Sequence, residues 1–257
     1  MACGERIVCL TEETCEWLYL LGEQKRIVGI SAYTVRPERA PKEKPKVSAF
    51  ISGNVKKIKG LAPDLVIGFS DIQANLAQKL IKEGLNVLVT NQRSIAEIFE
   101  TLQMLATLVG KEARGKKLIT EWRGKLRRIA RERRGKKRPR VFFQEWDEPV
   151  ISAIGWVSEL IAVCGGLNVF AGKAGAMAGE RIVTLDAVAR AKPDVIVGSW
   201  GGKPVDFNWL RSRPELAETP ALKKNRLADV DSAVILQPGP ALFLDGVDKL
   251  FHAIHGF

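Results

Sequence analysis

Apolar positions along this chain come in two forms, short continuous runs and longer stretches of helical period. "RIVCL" (6–10) is a run of the first kind and predicts a buried strand. Thr11 then offers an N-cap, and Glu12 and Glu13 suit the positive end of a helix. Trp17, Leu18 and Leu21 share one face of it before Gly22 ends it. "RIVGIS" (26–31) predicts a second strand, and the Pro- and Lys-rich stretch 37–46 a loop. Val55, Ile58 and Leu61 recur at helical spacing, Pro63 stops that helix, and the run 65–68 is the next strand. A helix around 72–83 leads to the strand "NVLVT" (86–90). "SIAE" (94–97) has the form of a capping box ahead of Ile95, Ile98, Phe99, Leu102 and Leu105. Beyond Gly110 one apolar stripe through Leu118, Ile119, Trp122, Leu126 and Ile129 predicts a helix from about 112 to 134, roughly 33 Å long.

The pattern then restarts. "RVFFQ" (140–144) answers "RIVCL", and a helix near 156–164 ends at Gly165-Gly166. "RIVTLDAVARAKPD" answers "NVKKIKGLAPD". The closest echo is "GLAPDLVIGFSD" (60–71) against "RAKPDVIVGSWG" (190–201), which sets Pro63 on Pro193, Asp64 on Asp194 and Gly68 on Gly198 at an offset of 130 residues. A period that long is a duplicated half and not a solenoid repeat. A last strand, a Pro-Gly-Pro turn and a closing helix finish the chain. Strands alternating with helices imply parallel sheets covered on both faces. The expected fold class is therefore α/β, with two similar lobes and mainly parallel sheets. The N-terminal lobe is expected over 1–110, a long connecting basic helix over 111–138, and the C-terminal lobe over 139–257. Ligands of open α/β sheets bind at the carboxyl ends of the strands. A ligand cleft between the lobes is thus expected, with Phe69 and Trp200, just past the repeated strands, on its walls.

Charge alters this picture in one place. Residues 111–140 hold fifteen Lys or Arg and three Glu, a balance of +12 against +11 for the whole chain, so the other 227 residues sum to −1. The plain reading is the solvated face of the connecting helix; the alternative is a patch for nucleic acid or an anionic membrane. Only Trp122 is interleaved among the charges, and it belongs to the apolar stripe, so nucleic acid is not expected as a partner. No apolar run approaches the roughly 18–20 residues of a membrane span. The start has no basic region followed by a long apolar stretch, and a cytoplasmic protein is expected from the chain as written, with a periplasmic or extracytoplasmic one the alternative if the chain has been trimmed. Cys3, Cys9, Cys15 and Cys164 lack CxxC spacing and read as mostly buried free thiols, although a Cys9–Cys15 bridge stays open.

Catalytic signals are sparse. No Gly-x-Ser-x-Gly elbow and no phosphate-cradling GxxxxGK[ST] occur, and the two histidines, His252 and His255, lie on the last helix. Metal ligation is not expected there. Tyr33, Phe50, Phe69, Trp146, Trp156, Phe170 and Trp200 all fall in or near the predicted loops after strands. Rings so placed suit a wide, flat, partly apolar ligand. The competing enzymatic reading takes Glu145, Asp147 and Glu148 of "QEWDEP" as an acid–base carboxylate set.

"RIVCLTEETCEWLYLLGEQKRIVGIS", "GLAPDLVIG", "FFQEWDEPVISAIGWVSELIAVCGGLNVFAG" and "ILQPGPALFLDGVDKL" together resemble the cobalamin-binding branch of the two-lobed, helix-joined (class III) substrate-binding proteins of ABC transporters. The resemblance implies a monomer that binds cobalamin or a related corrinoid between its lobes, without catalysis and without a cofactor of its own. Phe69 and Phe170 match positions that line the corrin in that family. Haem or a ferric siderophore is the alternative ligand in the same class. Family members that dock on a transporter permease present an acid on each lobe about twelve residues after the Pro-Asp proline. Here those places hold Asn75 and Val205, with Asp206 adjacent, which speaks against docking on a permease and leaves a corrinoid carrier or sensor beside a transport component as the expected role.

Overall fold

The structure, a computed structural model, describes residues 4–49, 51–175 and 177–256. Two compact units emerge. One comprises the chain up to Gln92 together with Ala96–Glu121; the other comprises Arg93–Ile95 and the chain from Trp122 onward.

The first unit runs β1 (Ile7–Cys9), α1 (Glu12–Leu21), β2 (Ile27–Ser31), α2 (Ala40–Glu43), β3 (Lys46–Ser48), α3 (Val55–Gly60), β4 (Leu65–Phe69), α4 (Ala74–Lys82) and β5 (Val87–Thr90). Two helices follow, α5 (Ile95–Leu108) and α6 (Glu112–Arg133), and α6 belongs to the first unit as far as Glu121 and to the second from Trp122. Its five strands pair in the order β3-β2-β1-β4-β5, every pairing parallel. β1 and β4 are buried at every position, because helices cover both faces and the continuous apolar runs have no face to give to water. Val8, Leu10, Val66, Ile58, Leu76 and Leu80 pack together in one core layer. Near α1, the Trp17 indole donates to the Leu102 carbonyl of α5 at 2.8 Å. Gly115 lets α6 approach α5 so closely that a Cβ there would lie 2.5 Å from that of Ala106.

The expected loop 37–46 is in part ordered: α2 occupies Ala40–Glu43, and Lys46 already pairs with Ile30 as the start of β3. Composition concealed both elements, since Pro41 sits near the start of a short helix, where its missing N–H costs nothing.

The second unit runs β6 (Arg140–Trp146), β7 (Ile151–Ser152), α7 (Gly155–Val163), β8 (Leu167–Asn168), α8 (Leu185–Arg190), β9 (Val195–Gly198), α9 (Phe207–Arg211), α10 (Pro220–Lys223), β10 (Leu227–Asp229), α11 (Ser232–Ile235) and α12 (Val247–His255). β10, β9 and β6 pair in parallel. The free edge of β6 is shared, with β8 parallel at its start and β7 antiparallel at its end. Phe142, Ile196, Val188, Leu210 and Leu216 are fully buried in its core. The segment Arg93–Ile95 crosses this unit at the start of α7. There the Ile95 N–H donates to Glu159 at 2.7 Å, and a Cβ on Gly155 would strike the Arg93 carbonyl oxygen at 2.2 Å.

The repeated Pro-Asp phrase has the same structural job in both units. Asp64 accepts N–H bonds from Gly4, Glu5 and Arg6, and Asp194 accepts one from Arg140, so each carboxylate ties the start of one strand to the next. The arginines return the contact: Arg6 Nε donates to the Ala62 carbonyl and Arg140 Nε to the Ala191 carbonyl, both at 2.9 Å. Ala62 and Lys192, each directly before its proline, have φ of 44° and 45°. That is the left-handed region, unusual for side chains with a Cβ, and its recurrence marks one turn built twice.

Candidate functional site

The strands of each sheet end at a rim of loops, and the second unit's rim is rich in indoles. β6 delivers Trp146 as its last residue, and Trp200 stands two residues beyond β9. Trp209 on α9 meets Trp200 edge-on, with ring centroids 5.9 Å apart. Lys203 lies over both neighbouring indoles, its Nζ 4.3 Å from the Trp146 ring and 4.9 Å from the Trp200 ring. The same ammonium is held by Asp147 at 2.7 Å. Burial alone would raise the Asp147 carboxyl, but the Lys203 bond and two backbone N–H groups outweigh it and hold the group below its usual range. Arg213 stacks over Trp209 at 4.2 Å and reaches Glu148 at 3.7 Å. Three indoles and two cations thus alternate across one rim, a packing in which each cation sits on a ring face.

Beneath these rings lie polar groups without partners. Both atoms of the Gln144 amide, the Ser199 hydroxyl and the Trp200 indole N–H are buried and make no hydrogen bond among the described residues. Gln144 and Ser199 are neighbours, the Ser199 N–H donating to the Gln144 carbonyl at 2.8 Å. A buried polar group left unpaired costs about 1–3 kcal/mol, so the carboxyl ends of β6 and β9 carry hydrogen-bonding capacity that the described residues do not use.

The first unit's rim is acidic and hydroxylic. Thr11, Glu12, Glu13, Thr14 and Glu16 are all buried at the start of α1. The Thr11 hydroxyl donates to Glu13 at 2.6 Å, and burial pushes the Glu13 carboxyl up to about 7. Arg36 pairs with Glu16 at 2.8 Å. Gln73 joins two strand ends, accepting the Phe69 N–H at 3.0 Å and donating to the Leu10 carbonyl at 3.2 Å.

The seven sequence candidates separate on these coordinates. Tyr33 is exposed (53%) in the loop after β2, and Trp146 is half-buried at its rim. Phe69 and Trp200 stand at strand ends but are only 7% and 3% exposed. Phe170 is half-buried, packed edge-on against Phe142 at 5.8 Å. Trp156 does not lie in a loop; it sits in the first turn of α7, buried, with its N–H donated to the Ile235 carbonyl at 3.1 Å. Its ring is core because the helix begins one residue before it and turns it inward. Phe50 lies outside the described residues.

The carboxylates of the enzymatic reading stand in ion pairs: Glu145 is bound to both terminal nitrogens of the buried Arg181, Asp147 to Lys203, and the exposed Glu148 lies 3.7 Å from Arg213. Sequence reasoning missed Arg181 and Lys203, which lie 36 and 56 residues from Glu145 and Asp147, and Trp209, which meets Trp200 from the helix that follows it. Only the cluster of tryptophans hinted at them. Cys9, Cys15 and Cys164 are free and buried, and burial pushes the Cys15 and Cys164 thiols up to about 12, far from reactivity. Among the described residues no group of His, Cys, Asp and Glu is arranged to hold a metal ion.

The chain matches the model of the periplasmic binding protein family over residues 7–234. It belongs to that family. A vitamin B12-binding protein of Vibrio parahaemolyticus is 27% identical over 239 residues, 92% of this chain and 84% of that protein. An uncharacterised ABC transporter substrate-binding lipoprotein, YvrC, of Bacillus subtilis is 26% identical over 98% of this chain and 80% of its own length. Among solved structures, the periplasmic vitamin B12-binding protein BtuF of Vibrio cholerae superposes with a TM-score of 0.78 at 23% identity, covering 97% of this chain and 96% of that one. The periplasmic haem-binding protein RhuT of Roseiflexus superposes with 0.80, also at 23% identity, covering 98% and 100%.

The two-lobed α/β fold with parallel sheets is therefore that of the ABC-type substrate-binding proteins, and the chain is a solute-binding component, non-catalytic and without a resident cofactor. The cytoplasmic placement expected from the start of the chain is wrong. The family and its relatives are periplasmic proteins or extracytoplasmic lipoproteins. No helix among the described residues is long and apolar enough to cross a membrane.

Proposed function

We propose that this protein binds cobalamin or a related corrinoid as the capture component of a transport system. The observation that carries the reading is the rim of the second unit, where Trp146, Trp200 and Trp209 stand beside strand ends that bear the unpaired Gln144 amide, Ser199 hydroxyl and Trp200 N–H. A corrin presents a broad apolar face and a fringe of amides. Indoles suit the face, and buried unpaired polar groups suit the fringe. Lys203 covers both rings and swings aside for a flat ligand to stack. On the same unit Phe170, two residues past β8, adds an apolar edge, and Phe69 ends β4 of the first unit. The B12-binding relatives support the ligand class.

One observation favours a second reading. Tyr33 presents an exposed phenol at the end of β2, and a phenolate is an axial ligand that ferric haem accepts. A haem-binding neighbour of similar fold supports that reading.

Absorbance and calorimetric titration with cyanocobalamin, haemin and a ferric siderophore separates them. The expected result is saturable one-to-one cobalamin binding, weakened at least tenfold by Trp200→Ala. Tight haemin binding lost in Tyr33→Phe, without cobalamin binding, overturns the corrinoid reading. A permease partner is part of the proposal, but through other groups than an acid pair. Position 75 is an exposed Asn, and the Asp206 carboxylate caps α9, accepting from Asn208 at 2.8 Å and Trp209 at 3.1 Å.

A further inference from the structure

The excess charge of this chain is gathered on α6 and the turn after it, and the structure sorts those cations into two groups. Some hold the second unit together. Lys125 donates to the Phe243 and Leu244 carbonyls at 2.9 and 3.1 Å and pairs with Asp248 at 2.6 Å. Arg133 lies over the Phe251 ring at 5.9 Å and against Gly165. Arg138 donates to the Gly166 carbonyl at 2.7 Å. These side chains face the protein, next to the buried Ile119, Trp122, Leu126 and Ile129.

The others face away. At about 100° per residue, Lys116, Lys117, Arg127, Arg128, Arg131 and Arg134 fall within one sector of roughly 120°, opposite the buried stripe. All six are exposed and none makes an ion pair among the described residues. Thr120 and Gly124 are the small residues between them, while Glu121 and Glu132 stand at the edge of the sector. From Lys116 to Arg131 the stripe runs about 22 Å along a straight helix. Lys136 and Lys137 continue it past the helix end, also exposed. A folding role would pair such charges with acids, and a merely solvated face would alternate their signs. Neither occurs, although the rest of the chain sums to about neutral.

We propose that this stripe is a docking surface for a membrane bearing anionic phospholipid headgroups, on which the helix lies lengthwise. A flat, straight row of cations with small residues between them matches a plane of headgroup phosphates. Each Lys or Arg near such a surface adds to the attraction, which fades within a Debye length. The stripe carries no aromatic side chain to stack bases, which separates it from a single-stranded nucleic-acid site. Its use is retention. A solute-binding protein held against the bilayer works at a higher local concentration there, as a lipid-anchored relative does by covalent means. The inference rests on the charge of α6 and stands whichever ligand the protein carries.

The test is co-sedimentation of the full chain with vesicles of pure phosphatidylcholine and of phosphatidylcholine with 30% phosphatidylglycerol, at 50, 150 and 500 mM salt. Binding to the anionic vesicles only, weakened at least tenfold between 50 and 500 mM salt, is expected. The variant Lys116→Gln, Lys117→Gln, Arg127→Gln, Arg128→Gln, Arg131→Gln should bind these vesicles at least a hundredfold more weakly, with its circular dichroism and ligand titration unchanged. A second variant in which the three arginines become lysine keeps the charge and should bind within threefold of the parent. Equal binding to both vesicle types, equal binding by the glutamine variant, or tighter binding to a DNA duplex than to anionic vesicles at 150 mM salt overturns the proposal.

Discussion

At the amino-terminal edge of each sheet the two units carry the same device, an arginine and an aspartate that exchange backbone hydrogen bonds across a turn with a left-handed residue before proline. At the carboxyl edges their side chains differ in kind. The first unit's rim gathers Thr11, Glu12, Glu13 and Glu16 in buried positions, the second unit's gathers indoles and cations, and each leaves some buried polar atoms unpaired among the described residues, Glu13 Oε2, Thr34 Oγ1 and Ser48 Oγ on the first and the Gln144 amide, Ser199 hydroxyl and Trp200 N–H on the second. What persisted through duplication is the part that aligns strands. What diverged is the set of loops at the strand ends, which can change without disturbing the sheet. The same glycine position shows the split. A Cβ on Gly68 would meet the Gln73 side chain at 2.7 Å, whereas one on Gly198 would meet Val205 at 2.6 Å, so each glycine admits a different neighbour at its own rim.

The comparison can be broken most sharply at Arg181. This guanidinium is 2% exposed and bound to Glu145 and the Ser152 carbonyl. Arg181→Ala leaves a carboxylate and a carbonyl without their donor and should cost about 3–5 kcal/mol, read as a lower midpoint in urea unfolding. Loss of less than 1 kcal/mol would mean that the pair is dispensable and that the second rim is no more specialised than the first.

A smaller effect is expected from pH at the first rim. The Glu13 carboxyl has an ordinary value of 4.5 and is pushed up to about 7 in the folded state by burial. Folding therefore takes up a proton between these values. The group's contribution is most favourable below pH 4.5, declines as pH rises, and has reached its full penalty above about 7, a change of at most about 3 kcal/mol. Glu13→Gln should flatten that part of the stability profile and be more stable than the parent at pH 8. An unchanged slope in the variant would show that Glu13 stays ionised at this rim.

The smallest effect separates the two copies of the shared device. Asp64 accepts three backbone N–H bonds and Asp194 one. Asp64→Ala should cost about 2 kcal/mol and Asp194→Ala about 1 kcal/mol, since each net bond to a charged, partly exposed acceptor contributes modestly. Equal losses would mean that strand alignment depends on the turn and not on the carboxylate.

Local pattern determined much of this protein. Apolar runs at 6–10, 65–68 and 140–144 became buried parallel strands, and the stripe through Ile119, Trp122, Leu126 and Ile129 became the buried side of α6. Period and burial are properties of neighbouring residues, so the sequence carries them openly. The resemblance across the chain reached the family for the same reason, as its motifs are these strands and turns. Composition misled at 40–48, where Pro and Lys concealed α2 and β3, and at Trp156, whose helix turns it into the core. Tertiary structure alone decided the rim. Lys203 reaches Asp147 across 56 residues and Arg181 reaches Glu145 across 36. Long-range pairing of this kind leaves no period in the chain, because partners are chosen by where the sheet ends its strands and not by their spacing in sequence.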